Sequence, residues 1–105
     1  MEKITANKEM RTTIRQIFKD AGISSEYEAL VDRALLITLG KITKYKTEID
    51  QFQKKYQTTF EDFEKRLLNQ KNDENFEVED DFLDWRFAEE ALRIWEKRRD
   101  ILYHV

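Results

Sequence analysis

A seven-residue repeat runs through the middle of this chain and limits what it can fold into more than any other feature. Between Ser25 and Tyr56, the residues Leu35, Ile42, Ile49 and Tyr56 fall in one column. Val31, Thr38, Tyr45 and Phe52 fall in a second, four residues earlier. Two columns so spaced make the a/d seam of a helix that packs lengthwise on another helix. Unbroken over 25–57, about 32 residues rising 1.5 Å each give a rod of roughly 48 Å. That is too long for the inside of one small domain, so the chain is expected to be elongated, oligomeric or both. Ser25 and Glu28 form a capping box at its start: the hydroxyl takes a backbone N–H and the carboxylate reaches back. Leu30, Val31, Ala34, Leu35, Leu36, Ile37 and Leu39 point all round the first half of the helix, which predicts burial on every side by the first and last helices.

The rest of the composition agrees with helices. The chain has no Pro and only two Gly in 105 residues, and 39% of its residues are charged against a usual ~25%. This length fits a single helical domain, 1–105, without a large enzyme core. No Cys means no disulfide, no thiolate nucleophile and no Cys-ligated zinc. No apolar run is long enough to cross a membrane, and the first residues lack the apolar core of a signal peptide, so a cytoplasmic location is expected.

Three further helices flank the rod. Lys8 to Ala21 carries Met10, Ile14, Ile17 and Ala21 on one face, with Phe18 at its margin and Gly22 as the left-handed stop. Thr58 and Glu61 read as a second capping box, opening a short helix with Phe60, Phe63 and Leu67 on its inner face. Asn69 to Asn75 is the expected loop, and the final helix should span 79–103. Its apolar residues spread over roughly 200°, where a helix lying on one neighbour needs only about 100°. The excess predicts two surfaces, one against the rod and one against another part of the chain, a second copy or a different protein.

Two sets of side chains are candidates for function. Lys8, Arg11, Arg15 and Lys19 line one face of the first helix; they read either as phosphate contacts to nucleic acid or as the solvated face of an amphipathic helix. The surrounding stretch from Ile14 to Val31 partly fits a helix-turn-helix. However, Glu28 stands where that motif buries an aliphatic side chain, and Phe18 where it needs a small one. The second set lies on the last helix: Phe82, Trp85 and Trp95 as aromatic anchors, with Glu79, Asp80, Asp81 and Asp84 as an acidic rim. These carboxylates lack the spacing of a calcium loop and suit a helix N-terminus, so neither a metal nor any other cofactor is expected. With one histidine, His104, near the end and no Gly-rich phosphate loop, the chain does not read as an enzyme.

The segments from Phe52 to Glu64 (FQKKYQTTFEDFE) and from Phe76 to Trp85 (FEVEDDFLDW) resemble elements of small helical antitoxin-like proteins of prokaryotic type II toxin–antitoxin modules. The likeness covers about Leu30 to Leu102, and Gln57 stands where those proteins often carry a glycine. The resemblance implies a protein that catalyses nothing and occludes a small toxin partner; the alternatives are a nucleic-acid-binding regulator using the first helix, or a structural homodimer or scaffold. Residues 61–105, with 14 acidic and 8 basic side chains, have the sign to cover a basic partner. The expected architecture is all-α: an elongated antiparallel hairpin or bundle of about four helices, forming a homo-oligomer, with a dimer as the simplest case.

Overall fold

A computed structural model describes residues 7–69 and 75–104, and the part of the expected Asn69–Asn75 loop from 70 to 74 lies outside the described residues. Four helices make up the fold: α1 Lys8–Asp20, α2 Glu26–Tyr56, α3 Phe60–Asn69 and α4 Phe76–Tyr103. There is no strand among the described residues. The protein is all-α, and no helix of it is long and apolar enough to cross a membrane among the described residues. The chain divides into two compact units, Met1–Ala34 and Leu35–Val105.

In the second unit, α2 and α4 form an antiparallel pair along the heptad seam; the seam alone left open whether its partner helix lay in the same chain or in another. Tyr45 meets Phe87 edge-on at 5.9 Å, Phe52 stacks on Trp85 at 5.6 Å, and Lys55 Nζ reaches Glu77 at 2.9 Å. Rising numbers on α2 thus meet falling numbers on α4. Within this unit the seam residues of α2 from Leu35 to Tyr56 are all buried or half-buried, with Thr38, Ile42, Tyr45 and Ile49 the most enclosed. The matching seam on α4 is Val78, Asp81, Trp85, Ala88, Leu92, Trp95, Arg99 and Leu102, spaced three and four residues apart and also buried or half-buried throughout. Two strict heptads facing each other are what holds a helical pair in register along its length.

A tight corner brings α3 onto this pair. Gln57 adopts φ +53°, the left-handed conformation that stops a helix, and its amide donates to the Lys54 carbonyl at 2.7 Å. The cap of α3 falls one residue later than the sequence pattern suggested: Thr59, not Thr58, accepts from the Asp62 N–H at 3.3 Å. Two adjacent threonines followed by two adjacent acids satisfy the capping pattern in either phase, and the left-handed turn selects the second. α3 then delivers Phe60 and Phe63 to Trp85 at 5.5 and 5.1 Å. Helix α4 likewise starts earlier than expected, at Phe76 rather than near Glu79, because the Asn75 side chain caps it by accepting from Val78 N–H.

In the first unit, each helix end is closed locally. Asn7 caps α1 by accepting from Met10 N–H at 2.7 Å. At the other end Gly22, at φ +77°, donates to Lys19 O while Ile23 donates to Phe18 O, the paired bonds of a Schellman stop. Phe18 and Ile23, both half-buried, are the two residues such a stop brings together, which explains the bulky side chain that fits a helix-turn-helix poorly. Ser25 Oγ accepts from Glu28 N–H as expected, but the Glu28 carboxylate goes one residue further back than a capping box requires, to the N–H and hydroxyl of Ser24. Those hydrogen bonds hold its carboxyl below the usual carboxylate range.

Burial all round the start of α2 is not found. Leu30 is 69% and Leu36 66% exposed, and Ile37 and Leu39 are exposed as well. No residue of α1 is buried, and none of the described residues 7–34 is. The apolar surplus read from the sequence therefore stands largely exposed on α2.

Candidate partner-binding surface

The fold sorts the aromatic residues of α4 into an inner and an outer set. Trp85 is inner: it is 0% exposed and ringed by Phe52, Tyr56, Phe60 and Phe63. Its indole N–H donates to Glu89 at 3.3 Å, so the one polar atom of the buried ring is satisfied. Phe82 is half-buried and stacked on Phe60 at 5.6 Å. Trp95 packs against the same core with the Arg98 guanidinium 4.6 Å from its ring centre. The three anchors named from the sequence are therefore core or core-edge residues, and Trp85 has no surface to offer a partner in this conformation.

The acidic set is divided as well. Glu79, Asp80 and Asp84 are exposed. Asp81 points inward and takes hydrogen bonds from Lys55 Nζ, at 2.6 Å, and from the Tyr56 hydroxyl. Partial burial pushes its carboxyl up, but those two donors and the lysine charge outweigh it and leave the carboxyl below its ordinary value. Burial and the same carboxylate push Tyr56 up to about 12. The Asp81 and Glu77 carboxylates raise Lys55. This cluster ties the corner of the hairpin together, and Asp81 is structural.

What faces outward is a second heptad stripe on α4. Phe76, Leu83, Phe87, Ile94 and Ile101 are all exposed, Phe87 at 60%, and are spaced 7, 4, 7 and 7 residues apart. Asp80, Glu90 and Lys97 fill the three places where this spacing skips a step. The charges along it are acidic on the N-terminal half, at Asp80, Asp84 and Glu90, and basic on the C-terminal half, at Lys97 and Arg98. Beside Phe87 lies a groove of about 310 Å³ lined by Lys44, Tyr45, Glu48, Phe52 and Asp84. Leu83, Phe87, Ile94 and Ile101 lie within the helix span whose wide apolar arc was read from the sequence, and Phe76 precedes it. The signal that separates the two sets is the inner three-four spacing, which is hidden because two of its members, Asp81 and Arg99, are charged.

The basic residues Lys8, Arg11, Arg15 and Lys19 are all exposed on α1. Arg15 and Lys19 border a 530 Å³ cleft with Phe18, Ile23, Ser24 and Ser25 at the start of α2. The anion-attracting N–H and hydroxyl of Ser24 there are already taken by Glu28. Among the described residues 7–34, five basic side chains meet five acidic ones. Among the described residues, no group of three or more His, Cys, Asp or Glu could hold a metal ion. No family model, no curated protein and no solved structure matches the chain.

Proposed function

We propose that this chain is a non-enzymatic protein-interaction module of the antitoxin kind, which lays the outer stripe of α4 along a helix of a small basic protein partner and so occludes it. The observation that carries this reading is the stripe itself. Five large apolar side chains at heptad spacing stay exposed on a helix whose inner heptad is already fully used. A soluble chain seldom leaves such a row uncovered, and the 3.5-residue spacing suits another helix more than a flat surface. The groove beside Phe87 would receive one partner side chain, and Asp80, Asp84 and Glu90 would steer a basic partner toward it.

The test is co-expression with the product of the neighbouring open reading frame, read by pull-down and by growth. A stoichiometric complex that restores growth supports the reading. Ile94→Glu with Ile101→Glu should abolish that complex while leaving helicity and the unfolding midpoint nearly unchanged, because both positions are exposed on the outer stripe. A complex that survives this double substitution would move the interface elsewhere. Absence of both capture and growth rescue would sink the antitoxin reading. Nucleic-acid binding through Lys8, Arg11, Arg15 and Lys19 is the competing reading, and the balanced charge around that stripe supports it less.

A further inference from the structure

The outer stripe of α4 lies wholly within the second unit and has an internal order of its own. From Phe76 to Ile101 its eight places are all exposed, five of them apolar and three charged, at Asp80, Glu90 and Lys97. Read from the opposite end, that order is nearly its own complement. Reversal about a point between Ala88 and Glu89 sets Phe76 opposite Ile101 and Leu83 opposite Ile94, apolar against apolar. The same reversal sets Asp80 opposite Lys97, acid against base. Only Phe87 falls opposite a charge, that of Glu90. The exposed Arg86 and Arg93 stand one helical turn either side of Glu90, a cationic setting for its carboxylate. Flanking charges add little either way, since Glu77 is already paired with Lys55 and Asp100 with Arg99.

A pattern that complements its own reversal suits one occupant in particular, a second copy of the chain laid antiparallel across a two-fold axis, where every contact is made twice. In a parallel pair each place would meet its own counterpart, so Asp80, Glu90 and Lys97 would each face a like charge. A slip of one heptad in the antiparallel pair parts Asp80 from Lys97. In one direction it sets Asp80 against Glu90, and in the other it sets Lys97 against Phe87. Charges at seam positions are what select orientation and register when two helices pair. A basic partner uses only the acidic half of the stripe, whereas a second copy uses both halves.

We infer that the free chain pairs with a second copy of itself through α4, antiparallel and in full register, and that a partner helix must displace this copy to reach the stripe. One helix face from each subunit makes a small interface, so the pair is exchangeable rather than permanent. The displacement rests on the proposed function; the pairing rests on the stripe alone.

Charge reversal at the one acid–base pair of the seam tests it, with the full chain and no partner present. Variant one carries Asp80→Lys and variant two Lys97→Asp; both positions are exposed and outside the first and last turns of α4. Sedimentation equilibrium should show the wild-type chain in a monomer–dimer equilibrium. Each variant alone should dissociate roughly tenfold more readily, because symmetry sets two like pairs in every dimer, with helicity by circular dichroism retained. An equimolar mixture should return to the wild-type dissociation constant, and so should the chain carrying both substitutions, because each again sets Lys against Asp. Variants that dimerise as tightly as wild type would overturn the inference, since a parallel pair or another interface behaves that way. A mixture and a doubly substituted chain that both fail to recover would overturn it too. A wild-type chain that stays monomeric at every concentration would overturn the pairing and leave the proposed function standing. Failed growth rescue by a chain that dimerises as described would do the reverse.

Discussion

Trp85→Ala is the substitution that probes the hairpin most directly. The side chain is 0% exposed and touches rings from both α2 and α3. Fully burying a tryptophan removes about 150–250 Å² from water, and truncation of such a residue costs about 3–5 kcal/mol. The second unit spans residues 35–105. At ~0.05–0.15 kcal/mol per residue, some 70 residues give a total stability of roughly 3.5–10 kcal/mol. Losing 3–5 of that leaves the unit marginal or unfolded, with a melting temperature lower by more than ~12 °C if a transition survives. Phe87→Ala, on the outer stripe, should cost less than about 1 kcal/mol. Urea titration followed by circular dichroism at 222 nm, run on both variants, makes the comparison (wavelength roughly that of the helical backbone band). Equal costs, or a larger cost at Phe87, would refute the inner and outer assignment on which the partner surface rests. The comparison also guards the functional test, because loss of partner binding in Trp85→Ala would report unfolding rather than a lost contact.

Two further outcomes follow from the corner of the hairpin. Gln57→Gly should stabilise the chain by about 0.5 kcal/mol: relief of the left-handed conformation outweighs the added freedom of the unfolded chain and the loss of the bond to Lys54, and a lower urea midpoint would contradict this. The cluster of Asp81, Tyr56 and Lys55 should give stability with two limbs in pH. The lowered Asp81 carboxyl contributes fully above its unfolded value near 3.8 and loses its contribution as pH falls through the folded value. The raised Tyr56 hydroxyl contributes fully below 10 and loses its contribution as pH rises toward about 12. Asp81→Asn should therefore flatten the acid limb and Tyr56→Phe the tyrosine part of the alkaline one, measured as unfolding midpoints across pH; unchanged limbs would mean the cluster is not formed in solution.

Much of this architecture was present in the order of residues. The α2 seam needed no tertiary information: eight residues in two columns name the buried face, because a helix has one period and apolar side chains at that period share one side. The closure of α1 by Gly22 and the start of α2 at Ser25 were legible for a similar reason, since both depend on groups within a few residues of each other. The cap of α3 was legible only to within one residue, because Thr58 and Thr59 carry the same hydroxyl.

Packing alone decided which side of α4 is inside. Its apolar arc is wide enough to bury either Trp85 or Phe87, and side-chain chemistry favours neither. Only when Gln57 turns the chain and α3 carries Phe60 and Phe63 against the hairpin does Trp85 gain a complete ring of neighbours, leaving Phe87, Ile94 and Ile101 outside. Asp81 and Arg99 could occupy inner positions only because Lys55 and Tyr56 meet the first, while Glu96 and Asp100 meet the second. Partners so distant in sequence as Lys55 and Asp81 cannot be read from a local pattern. The same holds for the start of α2. Its apolar surplus is a property of the sequence, whereas its exposure is a fact of the tertiary structure, since burial depends on which surfaces come within reach.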